Sequence, residues 1–256
     1  MKTIILGPPG TGKTTTLLDL VDQFIQQGVR PKEIGYFSFT RKAAREAANR
    51  AAEKFGLDAE KDLENFRTLH SYAFSRLAMT KEKMMTGDNY RDFGKLSEEL
   101  KRYKKEKGLK DFTDLLEDFI TQTTKQNFKA LFIDEAQDLS LIQWEMVRSL
   151  WTNAEKTYIA GDDDQAIFKW AGADVDHFIA LKEEVNDIKV LDQSYRIPGG
   201  PIHELSQKII SKVQNRFDKD YKPRAELGKL KRYSDITQVD MSKGNWLVLS
   251  SANYFL

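Results

Sequence analysis

The stretch LGPPGTGKTT, residues 6–15, follows the β-rich run TIIL (residues 3–6) and opens a segment in which Leu17, Leu18, Val21, Phe24 and Ile25 recur at helical spacing. Within it Gly7, Gly12, Lys13 and Thr14 fit the pattern G-x-x-x-x-G-K-[ST], in the strand-turn-helix setting that gives the pattern its meaning. Glycines let backbone N–H groups approach phosphate oxygens, and the first turn of the helix adds its positive dipole end. Lys13 reaches the β- and γ-oxygens, and the Thr14 hydroxyl is a Mg²⁺ ligand. Gly10, Thr11 and Thr15 complete the expected nucleotide-binding set. These residues specify a held phosphate without saying what its energy is used for.

Outward from this loop the chain alternates β-rich runs with amphipathic or alanine-rich segments. IGYFSF (34–39), ALFI (130–133), TYIA (157–160) and IKVL (188–191) join TIIL in the βαβ rhythm of a parallel sheet. The expected fold is α/β, a doubly wound parallel sheet of the P-loop NTPase type. LFIDEAQD, residues 131–138, supplies the other half of the site, an apolar strand ending in paired carboxylates. Asp134 at the strand tip is placed to hold the Mg²⁺ shell, and Glu135 to accept a proton from the attacking water. The same acids would also suit a plain helix start, where the dipole favours them. After a buried strand, in a chain that already carries a phosphate loop, the hydrolytic reading is preferred.

Composition excludes several classes. Forty basic residues against 39 acidic ones leave a net charge of +1, so any nucleic-acid site is a local patch rather than a global field. There is no cysteine, which removes disulfides, zinc-thiolate centres and thiol nucleophiles and suits a reducing compartment. His70, His177 and His203 lie far apart without a ligand pattern and read as structural. No apolar run approaches the roughly 20 residues of a membrane span, and the N-terminus lacks a cleavable apolar region. A cytoplasmic protein with no membrane partner is expected.

GPPGTGKTT by itself also fits an AAA+ protein remodeller. The discriminating stretches lie further along. TYIAGDDDQAIFKWAGAD (157–174) and LDQSYRIPGG (191–200) resemble the third and fourth motifs of UvrD/Rep-type superfamily 1 helicases. YFSFTRKAAREAANRA (36–51) and FRTLHSYAF (66–74) resemble the same family's single-strand-binding motifs, and with the phosphate loop and DEAQD they stand in family order.

The resemblance implies an ATP-dependent DNA helicase motor of RecA-like fold, using ATP and Mg²⁺ and moving 3′ to 5′ on single-stranded DNA up to a duplex junction. It implies that Gln165 senses the γ-phosphate, that Arg196 places a guanidinium on the charge developing there, and that Tyr195 stacks on adenine. It further implies base stacking by Phe39, Phe168 and Trp170 and backbone contacts by Thr40, Arg41, Thr68 and His70. Stacking tolerates any base, which sequence-independent tracking requires. A nucleotide-dependent single-strand-binding module without unwinding is the remaining alternative. Two positions depart from the family: Lys169 stands where arginine is usual, and Ala171 where arginine commonly follows the motif tryptophan.

For domain organisation, residues 1–71 and 129–225 are expected to form the RecA-like motor domain. Residues 72–128, long, charged and helical in pattern, are expected as an inserted helical subdomain. KRYKKEKGLK (101–110) in that insertion carries six basic residues against Glu106 and reads equally as a solvated helix face or a backbone contact. Beyond about residue 215 the chain turns basic and loop-like before NWLVLSS (245–251), expected to be a strand opening an incomplete second RecA-like domain over 226–256. The family's upstream adenine-reading glutamine has no place before the phosphate loop, and its later motifs are expected on a second domain that this chain does not include.

Overall fold

The computed structural model describes residues 1–85, 98–122 and 126–249. Six strands, β1 (Lys2–Leu6), β2 (Ile34–Ser38), β3 (Phe66–Arg67), β4 (Phe128–Asp134), β5 (Ala154–Gly161) and β6 (Asp187–Val190), pair in parallel in the order β3-β2-β4-β5-β1-β6. All five runs expected as strands of the parallel sheet lie in it. The sixth, β3, has two residues, too few to show a periodicity.

β1, β2 and β4 are buried almost throughout, as strands covered on both faces must be. Alternation along β1 sorts its side chains between two cores. Ile5 faces helices α1 (Lys13–Gln26) and α2 (Arg41–Phe55) with Leu17, Val21, Tyr36, Ala47 and Phe132. Ile4 and Leu6 face the opposite layer, built from α3 (Leu69–Arg76), α5 (Phe112–Gln122), α6 (Leu141–Trp151) and α7 (Val175–Ala180) around Tyr72, Phe119, Trp144 and Phe178. The sheet is therefore doubly wound. Between β3 and β4 the described residues hold α3, α4 (Glu98–Lys107) and α5 and no strand.

Past β6 the chain forms a second unit: β7 (Gln193–Gly199), α8 (Pro201–Ile210) and β8 (Lys222–Leu227), with β7 and β8 paired in parallel. This corrects the loop-like reading of the residues beyond 215. KPRAEL is largely exposed and contains a proline, so it lacks the apolar alternation that reveals a strand in sequence. The expected strand at 245–251 is also not seen, since residues 245–249 carry no strand; residues 250 and 251 lie outside the described residues.

Parallel register brings the C-terminal ends of the central strands to one edge: Leu6 stands opposite Gly161, and Ser38 opposite Asp134. Ligands of open α/β sheets bind at that edge, and the loop after β1, the DEAQD turn and the GDDDQ turn all emerge there.

Candidate nucleotide site and nucleic-acid interface

The loop between β1 and α1 is held from below and from the side. Gly7 N–H donates to Gly161 O at 3.2 Å, and the Thr11 hydroxyl closes the turn on Pro8 O at 2.8 Å. Gly10 and Gly12 have φ of +77° and +85°, in the left-handed region that favours glycine. A Cβ on Gly10 would sit 2.4 Å from Cβ of Arg196, so the loop and β7 touch backbone to backbone. Lys13 is buried, with Nζ 2.8 Å from Gly7 O; an ammonium has three donors, so two are left for phosphate oxygens. Thr15 Oγ1 accepts from Arg50 of α2 at 3.1 Å.

Thr14 and Asp134, 120 residues apart in sequence, meet directly, the hydroxyl donating to Asp134 Oδ2 at 2.9 Å. Tyr36, buried in β2 and absent from the sequence-derived site, donates to the same oxygen at 2.8 Å. Burial, then the neighbouring Glu135, pushes the Asp134 carboxyl above its ordinary range, with Tyr36 and Thr14 opposing. Ser38 Oγ, in register with Asp134, is buried without a hydrogen-bond partner. Two hard oxygen ligands beside a phosphate loop suit Mg²⁺, which keeps waters and phosphate oxygens as its other ligands.

Glu135 is left-handed at φ +53°, ψ +46°, uncommon for a side chain with a Cβ. Its carboxylate is held by the buried Gln137, whose Nε2 donates to Glu135 Oε2 at 3.0 Å and whose Oε1 accepts from the Asp162 N–H at 3.0 Å. Gln137 thus bridges the turns after β4 and β5. Asp138 completes the cluster: burial, then Glu135, raises its carboxyl to about 6, and its Oδ1 is unpartnered.

Gln165 stands on the next turn with Nε2 2.6 Å from Asp162 Oδ2. Asp162 Oδ1 receives Lys219 Nζ at 2.7 Å, and Lys219, its side chain fully buried, also pairs with Asp163 and with Asp164 at 3.0 Å. Arg216 takes Asp164 with two hydrogen bonds of 2.8 and 2.5 Å. Tyr195 N–H donates to Gly10 O at 2.9 Å and leaves its ring exposed beside the phosphate loop. Ser194 and Tyr221 both donate to Pro9 O, at 2.9 and 2.8 Å. Tyr36, Gln137, Asp162, Lys219 and Tyr221 were missed in sequence. Gln137 and Asp162 sat inside quoted motifs, but only folding shows which neighbours they hold.

On the outer surface Phe39, Phe168 and Trp170 form a chain of rings, with centroids 5.5 Å apart for the first pair and 6.3 Å for the second. Trp170 is 84% exposed and so is not a core residue. Thr40 and Thr68 cap α2 and α3, accepting from Ala43 N–H at 3.1 Å and Ser71 N–H at 3.2 Å, a structural duty the sequence reading did not assign. Arg41 and His70 follow those caps and line one cavity of about 400 Å³ with Phe74, Met84 and Phe112. Burial and the nearby Arg41 lower the His70 pKa, favouring a neutral ring. Half of the basic run in α4 and its following loop is already paired: Lys101 with Glu98, Lys104 with Asp111 and Asp114, and Lys110 with Asp118.

The family model of the UvrD/REP helicase N-terminal domain matches residues 1–88 and 77–186 of this chain. The ATP-dependent DNA helicase Rep of Buchnera aphidicola subsp. Baizongia pistaciae is 28% identical over 169 residues, covering 59% of this chain and 25% of its own length. The ATP-dependent DNA helicase srs2 of Schizosaccharomyces pombe is 32% identical over 146 residues, 54% of this chain and 16% of its own. Escherichia coli Rep is 31% identical over 97 residues, 37% of this chain and 14% of its own. The chain spans a quarter or less of the length of these relatives. Its sheet, phosphate loop and family match make the fold a RecA-like P-loop α/β fold, and the chain belongs to the UvrD/REP helicase N-terminal domain family.

Proposed function

We propose that this chain is the ATP-hydrolysing, single-stranded-DNA-binding motor part of an ATP-dependent DNA helicase. The observation that carries the reading is the meeting of Thr14 with Asp134 at one sheet edge, Glu135 held beside them, and the chain of rings Phe39–Phe168–Trp170, ending in the exposed Trp170, on the loops that leave that edge. Membership of the helicase family argues against the AAA+ remodeller.

In this reading Lys13 and the N–H groups of Gly7, Gly10, Thr11, Gly12 and Thr15 bind the phosphates. Thr14 and Asp134 hold Mg²⁺, which supplies charge neutralisation on the phosphate oxygens. Glu135 takes the proton of the attacking water, with Gln137 fixing its carboxylate. Gln165 and Arg196 face the charge that develops at the γ-phosphate, and Tyr195 offers its ring to adenine. Phe39, Phe168 and Trp170 stack bases, while Arg41, His70, Thr40 and Thr68, clustered at the positive ends of α2 and α3, contact the strand's phosphates.

We further propose residues 72–128 as a helical insertion in the motor domain and 226–256 as part of a second RecA-like unit forming the opposite wall of the cleft. Movement 3′ to 5′ toward a duplex junction and a cytoplasmic setting complete the proposal; no helix among the described residues is long and apolar enough to cross a membrane. Nucleotide binding and hydrolysis measured with and without homopolymeric single-stranded DNA test it. Expected are Mg²⁺-dependent ATP binding and DNA-stimulated turnover. DNA binding that never accelerates hydrolysis would leave a binding module, and no nucleotide binding would end the reading.

A further inference from the structure

Lys219 is a lysine with no solvent-exposed side-chain surface, in a segment that no motif of the sequence reading includes. Its ammonium sits among Asp162, Asp163 and Asp164. Burial pulls its pKa down, but Asp162 and Asp163 outweigh that, and it lies above the usual lysine value. A buried charge of this kind is expensive to keep, so what its partners touch is informative.

Two Asp162 contacts lead into the nucleotide site. Oδ2 accepts from Gln165 Nε2 at 2.6 Å, and the backbone N–H donates to Gln137, which holds Glu135. An ionised carboxylate only accepts hydrogen bonds, whereas a neutral acid or an amide also donates. With Oδ1 held by Lys219, the Asp162 carboxylate presents Oδ2 to the NH₂ end of the Gln165 amide. The second N–H and the carbonyl of Gln165 are then fixed toward the rest of the site. The same segment reaches the phosphate loop through Tyr221 Oη on Pro9 O, and a cavity of about 130 Å³ between them is lined by Pro9, Asp162, Gln165, Lys219 and Tyr221.

Resting on the nucleotide-site reading above, we propose that Lys219 is a positioning residue for hydrolysis: its ion pair with Asp162 Oδ1 fixes that carboxylate, whose Oδ2 locks the Gln165 side-chain amide in one orientation. Lys219 touches no reacting atom. It acts from the far side of Asp162, on the segment that leads into β8, so the residue proposed to sense the γ-phosphate and the β7–β8 unit are coupled through the Lys219–Asp162 ion pair.

The test uses the whole chain labelled with ¹⁵N-glutamine, the Gln165 side-chain resonance being assigned by its loss in Gln165→Ala. In the wild type one Gln165 amide proton is expected far downfield and slow to exchange. In Lys219→Met and in Asp162→Asn that proton should return to the ordinary glutamine position and exchange freely. Asp162→Asn leaves Lys219 paired with Asp163 and Asp164, so it decides the matter if Lys219→Met does not fold. A Gln165 amide unchanged in a folded variant overturns the proposal. In parallel, turnover of saturating Mg²⁺-ATP should fall about tenfold or more, with nucleotide affinity changed by less than about threefold, since only transition-state contacts are disturbed. Displaced amide resonances with undiminished turnover would also overturn it. A wild-type chain that binds no Mg²⁺-nucleotide would instead sink the nucleotide-site reading, and the amide resonance would still decide whether Lys219 orients Gln165.

Discussion

The buried Tyr36 phenol donates to Asp134 Oδ2 at 2.8 Å, the same oxygen that receives the Thr14 hydroxyl. A carboxylate 2% exposed, at the end of a buried strand, is thereby supported by two neutral side-chain donors on Oδ2, while Oδ1 accepts from the Glu135 N–H at 3.0 Å. Tyr36 is accordingly a tuning partner of the proposed Mg²⁺ ligand rather than mere core.

Tyr36→Phe removes one donor and little volume. Stability should drop by about 1–3 kcal/mol, because a buried acceptor loses a partner. The Mg²⁺ concentration needed for half-maximal nucleotide binding should rise by about tenfold, as for other residues that orient a metal ligand. Chemical denaturation and a Mg²⁺ titration with a fluorescent ATP analogue measure the two effects. An unchanged Mg²⁺ requirement would confine Tyr36 to packing.

Lys13→Ala and Glu135→Gln should separate binding from chemistry. Lys13 is the buried cation of the phosphate loop, so its loss removes a ground-state phosphate contact and with it tight Mg²⁺-nucleotide binding. Gln at position 135 keeps the side-chain length and an acceptor for Gln137 while losing the base. Affinity should persist and turnover fall by about 10²–10⁴. Isothermal titration beside single-turnover hydrolysis distinguishes them, and an equal loss of affinity in both variants would refute the assigned roles.

The sheet was legible because its central strands are apolar runs bounded by glycine-rich or acidic turns, and Thr14 and Asp134 because phosphate chemistry restricts residue type and spacing. Tyr36 was not, because a tyrosine in IGYFSF reads as strand until the register sets β2 beside β4. Lys219 was hidden for a similar reason: in FDKDYKPRAELGKLKRY it looks like any other surface lysine, and only the return of the chain beneath the GDDDQ turn buries it. β8 escaped because its exposed pairing with β7 requires no hydrophobic pattern.

Trp170 and Phe39 should behave differently although both belong to the ring chain. Trp170 is almost wholly exposed, so Trp170→Ala should change stability by no more than about 0.5 kcal/mol. It should weaken single-stranded DNA binding by about 1–3 kcal/mol with little preference among sequences. Phe39 is partly buried against the core, so Phe39→Ala should lose affinity and stability together. Fluorescence anisotropy with poly-dT and mixed-sequence strands, beside thermal unfolding, tests the contrast; undiminished DNA binding in Trp170→Ala would place the strand elsewhere.

Asp138 provides a pH-dependent prediction with a definite sign. Its carboxyl titrates near 6 in the folded chain against 3.8 ordinarily, raised by burial and by Glu135, and Oδ1 has no donor to compensate the charge. Between those two values the folded state holds the proton more tightly than the unfolded chain. Stability therefore falls as pH rises through this window, and above about 6 the cost is constant. Asp138→Asn removes the titration while keeping an acceptor for Gln137. The variant should gain stability relative to wild type progressively from pH 4 to 6, reaching at most about 3 kcal/mol, less the cost of a buried amide group without a partner. Urea unfolding of both proteins across pH 4 to 8 reads the difference directly, cancelling groups that titrate alike in each. A stability difference that stays flat over this range would mean that Asp138 is ionised throughout, and that the acidic cluster around Glu135 is better compensated than its hydrogen bonds indicate.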